Sequence, residues 1–271
     1  MGNPRGDFIW YELLTTDADA AQRFYGDVVG WKASDSGQPG MDYRILDAGD
    51  GQAGGLMQIN EQMPGAKPVW LGYVGVPDVD AAVADWTAAG GSVQMPAMDI
   101  PNVGRIAMLA DPDGVPLYVM RGASDASSTA FRVTDARHVR WNEIAAKDDA
   151  AALGFYQARF GWEVVGAMPM GEMGDYHLLA ANGVRMGALM RSPAGQEPRW
   201  MYYIGVGDID AAMEQIKAGG GQVLNGPHQI PGGEYSLHAC DPQGAAFGSL
   251  PQPLSQRSCS ACGQQQRASA R

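Results

Sequence analysis

Along the chain, apolar residues alternate with polar ones in short runs and then switch to a three-to-four spacing, and the switch recurs four times. The first run, from Phe8 to Leu14, reads as a strand. Ala21, Phe24, Tyr25 and Val28 then fall on one face of a helix, opened by the acid Asp17 and closed by Gly30. "YRILDAG" and "AGGLMQI" return to the strand pattern. A second cycle follows: "WLGYVGV" as a strand, a helix with Val79, Ala82, Val83 and Trp86 on one side, and "RIAMLADPDGVPLYVM" as a hairpin turned by Asp-Pro-Asp-Gly.

The second half of the chain repeats the first. Trp10 and Trp141, Glu12 and Glu143, Asp17 and Asp148, Phe24-Tyr25 and Phe155-Tyr156, and Gly30-Trp31 and Gly161-Trp162 match at one constant offset. "DPDG" at Asp111 is answered by "DPQG" at Asp241. The pattern predicts an α+β protein of four βαβββ units paired into two domains. Domain 1 spans 1–122, a small polar linker 123–134, domain 2 135–252, and a Gln- and Ser-rich tail, expected to be disordered, 253–271.

Charge narrows the partners. With 30 acidic against 19 basic side chains the net charge is −11, which repels phosphate backbones and anionic lipid, so neither nucleic acid nor membrane is expected. No apolar run approaches the roughly 20 residues that cross a bilayer, and the N-terminus lacks the apolar stretch of a secretory signal; a cytoplasmic location follows as the expectation. The three cysteines form no disulfide framework. Cys240 reads as buried, and Cys259 and Cys262 make a lone C-x-x-C in the tail, short of the four ligands of a structural zinc.

The opening strand, a helix ending in "FYGDVVGW", a second helix ending in "AAGG" and the closing "DPDG" hairpin together resemble the vicinal oxygen chelate superfamily. That superfamily includes glyoxalase I, extradiol dioxygenases and the fosfomycin- and bleomycin-resistance proteins. The tandem layout is similar to its two-domain glyoxalase-like proteins, often labelled hydroxylases. The resemblance covers Phe8 to Leu250 and implies paired units whose mixed sheets curl into cups, with ligand or metal inside and helices outside. It also implies four metal-ligand places per cup. Carried over, these fall on Trp10, Gly72, Tyr118 and the stretch from Gly55 to Met57 in copy one, and on Trp141, Tyr202, Gly248 and the stretch from Ala188 to Met190 in copy two. None carries a usual ligand, so no metal or other cofactor is expected, a divalent ion held by other residues being the alternative.

On that frame the cup walls are Trp10, Met57, Trp70, Gly72 and Tyr118 in copy one, and Trp141, Met190, Trp200 and Tyr202 in copy two. Glu12 and Glu143 share the faces of Trp10 and Trp141. Aromatic walls, methionine and one buried acid suit a flat, largely apolar small molecule. The first reading is therefore a metal-free binder of the resistance or sequestration type. The second is a glyoxalase-like lyase, isomerase or dioxygenase with a different metal site or with Glu12 or Glu143 as general base. A purely structural role is the third. In copy two His177 and His238 could join Glu143, though no spacing brings them together, and Arg44 and Met108 stand at their places in copy one. With both copies on one chain, the protein is expected to be a monomeric pseudo-dimer or a weak homo-oligomer.

Overall fold

The computed structural model describes residues 2–252. The tail from 253 on, with its C-x-x-C, lies outside them. Copy one runs β1 (Phe8–Thr15), α1 (Ala18–Val28), β2 (Lys32–Asp35), β3 (Tyr43–Asp47), β4 (Gln52–Gln58), β5 (Val69–Gly75), α2 (Val79–Ala88), β6 (Ser92–Ile100), β7 (Gly104–Ala110) and β8 (Pro116–Gly122). Copy two repeats the order: β9 (Val139–Ala146), α3 (Asp149–Phe160), β10 (Glu163–Pro169), β11 (Asp175–Ala181), β12 (Val184–Arg191), β13 (Arg199–Val206), α4 (Ile209–Ala218), β14 (Gln222–Gln229), β15 (Tyr235–Cys240) and β16 (Ala246–Pro251). Each copy builds one open eight-stranded mixed sheet, in the orders β2-β3-β4-β1-β5-β8-β7-β6 and β10-β11-β12-β9-β13-β16-β15-β14. The sheets are the curled cups of an α+β fold.

The helices begin where the acids stand. Asp17 accepts from the Ala20 N–H at 2.8 Å and Asp148 from the Ala151 N–H at 3.0 Å, satisfying free donors of the first turn. Gly161 ends α3 in the left-handed region at φ 73°, open to glycine without strain.

Alternation sorts the side chains of the central strands: β1 is largely buried on both faces, whereas β9 leaves Trp141, Glu143 and Ala145 partly exposed on one. Phe8, Tyr11 and Leu13 point toward the helices and join a core that runs without a break through both copies. Trp10 and Leu14 point into the first cup.

The two copies are joined about a local two-fold relation, visible because equivalent residues meet or trade partners. The Tyr25 hydroxyl donates to Asp241 at 3.1 Å, and its counterpart Tyr156 donates to Asp111 at 2.8 Å. Those aspartates open the "DPQG" and "DPDG" turns, and their other carboxylate oxygens accept from the Ala245 and Val115 N–H groups. Trp31 donates to the Arg137 carbonyl and Trp162 to that of Gly6. The Tyr11 hydroxyl reaches the Asn142 side chain at 2.7 Å. The segment between copies is stitched to copy one, with the Thr129 hydroxyl on the Gln52 carbonyl and Arg132 on Asp50. Cys240, expected to be buried, is partly exposed on the last residue of β15. Among the described residues no helix is long and apolar enough to cross a membrane.

Candidate functional site

The concave face of each sheet is read from strand register. In copy one β1 runs antiparallel to β5, with Trp10 opposite Tyr73 and Glu12 opposite Leu71. β5 runs parallel to β8 with Tyr73 opposite Tyr118, and β7 and β6 continue the row with Met108 and Met95. One line of side chains thus crosses the first cup: Trp10, Tyr73, Tyr118, Met108, Met95. In copy two the same line reads Trp141, Tyr203, Gly248, His238, Asn225.

This register moves three expected wall residues to the opposite face. Trp70, Trp200 and Tyr202 pack in the helix-side core, where the Trp70 indole N–H donates to the Tyr25 hydroxyl and Trp200 stacks on Tyr202. Gly72, also placed in the wall from sequence, faces away from the cup. A Cβ there would lie 2.7 Å from Phe8 and from the Tyr202 hydroxyl, which instead accepts the Gly72 N–H at 2.8 Å. The physical reason is parity: a strand register off by one residue exchanges every inward side chain for an outward one. Leu71 and Tyr73, and Met201 and Tyr203, are the inward residues. Trp10, Met57, Tyr118 and Trp141 lie on the cup faces, with Met190 level with Ala145 on β9.

At the floor of the first cup Tyr73 donates to Glu12 Oε2 at 2.9 Å, while Trp10 donates to the Tyr43 hydroxyl at 2.8 Å. The Tyr43 ring lies over Gly55, where a Cβ would stand 2.1 Å from its oxygen. A phenol therefore fills the space the family resemblance gives to a ligand on β4. Tyr118 stacks on Tyr73 with ring centroids 4.2 Å apart. Only 2% of Glu12 is exposed, and its Oε1 has no hydrogen-bond partner. Burial pushes the Glu12 carboxyl up to about 7 against the pull of the Tyr73 and Tyr43 hydroxyls.

The second floor repeats the motif with more polar surroundings. Tyr176 donates to Glu143 Oε2 at 2.6 Å and accepts from the Trp141 indole at 2.9 Å. Tyr203 lies 3.1 Å from Glu143 Oε1 and 2.7 Å from His238 Nε2. Glu143 and His238 both remain partly exposed. Burial raises the Glu143 carboxyl, opposed by Tyr176, Tyr203 and Arg199. Burial, then Arg199 and His228, lower His238, which favours the neutral ring. His177 does not join the cluster: its Nε2 is 3.6 Å from Asp149.

Tyr43, Tyr73, Tyr176 and Tyr203, the partners of both carboxyls, escape a reading by motif. The signal that could find them is register, since each becomes inward once Trp10 and Trp141 are paired with their neighbours. Two clefts, of about 490 and 300 Å³, lie elsewhere, one beside Asp80, Asp99 and Arg105 and one beside Asn3, Pro77 and Arg121; neither includes Glu12, Glu143 or the tyrosines around them.

A family model described as the Glyoxalase/Bleomycin resistance protein/Dioxygenase superfamily matches residues 8–119 and 136–248. The chain belongs to that superfamily. CFP32 of Mycobacterium tuberculosis (strain CDC 1551 / Oshkosh), provisionally named as a glyoxylase, is 34% identical over 249 residues, covering 89% of this chain and 93% of its own. The anthracycline biosynthesis protein DauV of Streptomyces sp. (strain C5) is 28% identical over 251 residues, covering 88% and 90%. In fold, this superfamily member is similar to the 2,3-dioxygenase LapB of Pseudomonas sp. KL28, with a TM-score of 0.64 at 13% identity over 92% of this chain and 93% of that one. The Mn(II)-bound glyoxalase of Novosphingobium aromaticivorans gives 0.64 at 16% identity over 92% and 83%.

The superfamily's metal does not fit the residues at its places. With the inward Leu71 and Met201 taken in place of the outward-facing Gly72 and Tyr202, neither they nor Trp10, Gly55 and Tyr118 in the first cup and Trp141, Ala188 and Gly248 in the second offer a set of three or four converging donors. Among the described residues no three His, Cys, Asp or Glu side chains are grouped to hold an ion.

Proposed function

We propose that the protein binds a flat, largely apolar aromatic small molecule against the concave wall of a cup, without a metal. The observation that carries this reading is the replacement of the ligand places by a Trp–Tyr–Glu–Tyr floor. The wall then offers an aromatic face, methionine and one carboxyl instead of a chelating centre. Above the first floor stand Met57, Met95, Met108 and Met120, polarizable side chains that adapt to irregular ring edges. Relatives named for anthracycline biosynthesis support a polycyclic aromatic as the ligand class. The excess of acidic residues disfavours a phosphorylated one. Because one chain carries both halves of the pseudo-dimer, a monomer suffices.

Titration with 1,8-dihydroxyanthraquinone tests the reading. Saturable quenching of tryptophan fluorescence that persists in excess EDTA is expected, with Trp10→Phe or Trp141→Phe reducing it. Quenching abolished by EDTA, or none at all, overturns the reading.

A further inference from the structure

The two floors differ at one correlated set of positions. In copy one Tyr118 occupies β8 and Met108 the neighbouring place on β7; in copy two these are Gly248 and His238. Tyr73 and Tyr203 are the same residue type at the same place, yet they are used differently. A Cβ on Gly248 would lie 2.3 Å from the Tyr203 ring, so that ring leans across β16 into space that Tyr118 fills in copy one. Leaning there brings its hydroxyl to His238 Nε2 while keeping it on Glu143. Loss of the side chain at Gly248, gain of an imidazole beside it and solvent access to Glu143 serve one outcome. They make an unbroken hydrogen-bonded line, Glu143–Tyr203–His238, from the cup floor to a partly exposed ring. Beyond His238, Asn225 holds His228 at 2.8 Å on the outer strand.

We infer that the second cup is a proton-transfer site for a flat aromatic ketone, with Glu143 as the base and Tyr203 and His238 as its path to solvent, while the first cup has lost that path. The inference rests on the ligand reading above. Glu143 takes a proton from the carbon beside the carbonyl; the C–H bond breaks, an O–H bond forms on the carboxylate, and the electron pair moves onto the carbonyl oxygen as an enolate. The proton on Glu143 passes to the Tyr203 oxygen as the Tyr203 proton passes to His238 Nε2, and the imidazole releases one proton to water. Return of a solvent proton to carbon regenerates the ketone, so the cycle needs neither oxidant nor metal. Its chemical basis is a carboxyl whose affinity for protons burial has raised, held by two phenols, one of which also reaches the partly exposed His238. The groups facing the line are Tyr176, Arg199 and His228; burial first, and then Arg199 and His228, disfavour the protonated His238 ring, which leaves it suited to accept.

The test uses the full chain, 1-tetralone as probe, and two readouts. Proton NMR in D₂O follows deuterium entering the carbon beside the carbonyl, and equilibrium dialysis measures binding. Exchange faster than in protein-free buffer is expected, with Glu143→Gln lowering it about 100-fold or more while dialysis still shows saturable binding. His238→Met, the copy-one residue, is expected to retain binding, slow exchange and flatten the dependence of rate on pH between about 5 and 8. Gly248→Ala, a smaller intrusion than tyrosine, should slow exchange as His238→Met does. Binding without accelerated exchange, or exchange that survives Glu143→Gln, overturns this inference and leaves the ligand reading standing. Absence of binding overturns both.

Discussion

The two cups start from the same floor, a tryptophan, two tyrosines and a glutamate, and diverge in what closes over it. In copy one Glu12 is 2% exposed beside Tyr118 and Met108; in copy two Glu143 is partly exposed beside Gly248 and His238. The same carboxyl is therefore a fully buried acid in one half and a partly exposed one in the other. Environment decides this, because the hydrogen-bonding tyrosines are common to both.

The largest expected effect that separates the halves is electrostatic. Glu12 has an ordinary value of 4.5 and a folded value of about 7, so the folded state holds its proton more tightly than the unfolded chain. The stability this contributes is full below about pH 4.5 and is lost as pH rises through about 7, a change of about 3 kcal/mol. Glu12→Gln should remove that slope in urea unfolding measured across this range, and Glu143→Gln should remove a smaller one of the same sign. Equal slopes would erase the distinction between a sealed and an open floor.

Next in size is a steric comparison. Gly55→Ala places the copy-two residue under Tyr43, which must leave its position, and should destabilise the chain by about 2 kcal/mol in thermal unfolding. The reverse change, Ala188→Gly, creates no clash and should cost less than about 1 kcal/mol. Smallest is the loss of one phenol. Tyr73→Phe takes a donor from a carboxyl that water does not reach and should cost about 1 to 2 kcal/mol, whereas Tyr203→Phe leaves groups that water can serve and should cost under about 1 kcal/mol. A larger penalty for Tyr203→Phe than for Tyr73→Phe would invert the assignment.

Much of the architecture could be read from the residues. The switch from alternation to helical spacing, the capping aspartates and the repeated "FY" and "DPDG" segments locate the units, and Trp10, Glu12, Trp141 and Glu143 fall on the faces expected. Trp70, Trp200 and Tyr202 did not, because large aromatic residues suit both the cup and the helix-side core. Only the antiparallel pairing of β5 with β1, including a register shift between Phe8 and Trp10, decides which face β5 presents. Gly72 and Tyr118 have Tyr202 and Gly248 at their places in copy two, and only the second of these differences falls inside the cups. Tyr118 and Gly248 do differ across the cups, while Gly72 and Tyr202 touch each other at the local two-fold. The tyrosines around the glutamates were hidden for a related reason: their partners lie on strands far apart in sequence.

The reciprocal bonds from Tyr25 to Asp241 and from Tyr156 to Asp111 tie each half's closing turn to the other half's first helix. A fragment encoding one copy would close its last hairpin with its own backbone but leave a buried carboxylate without its phenol and bare the apolar residues of the shared core. With its bonds shared across both copies, the seam constrains residues on each side at once, whereas each cup floor is built from one copy alone.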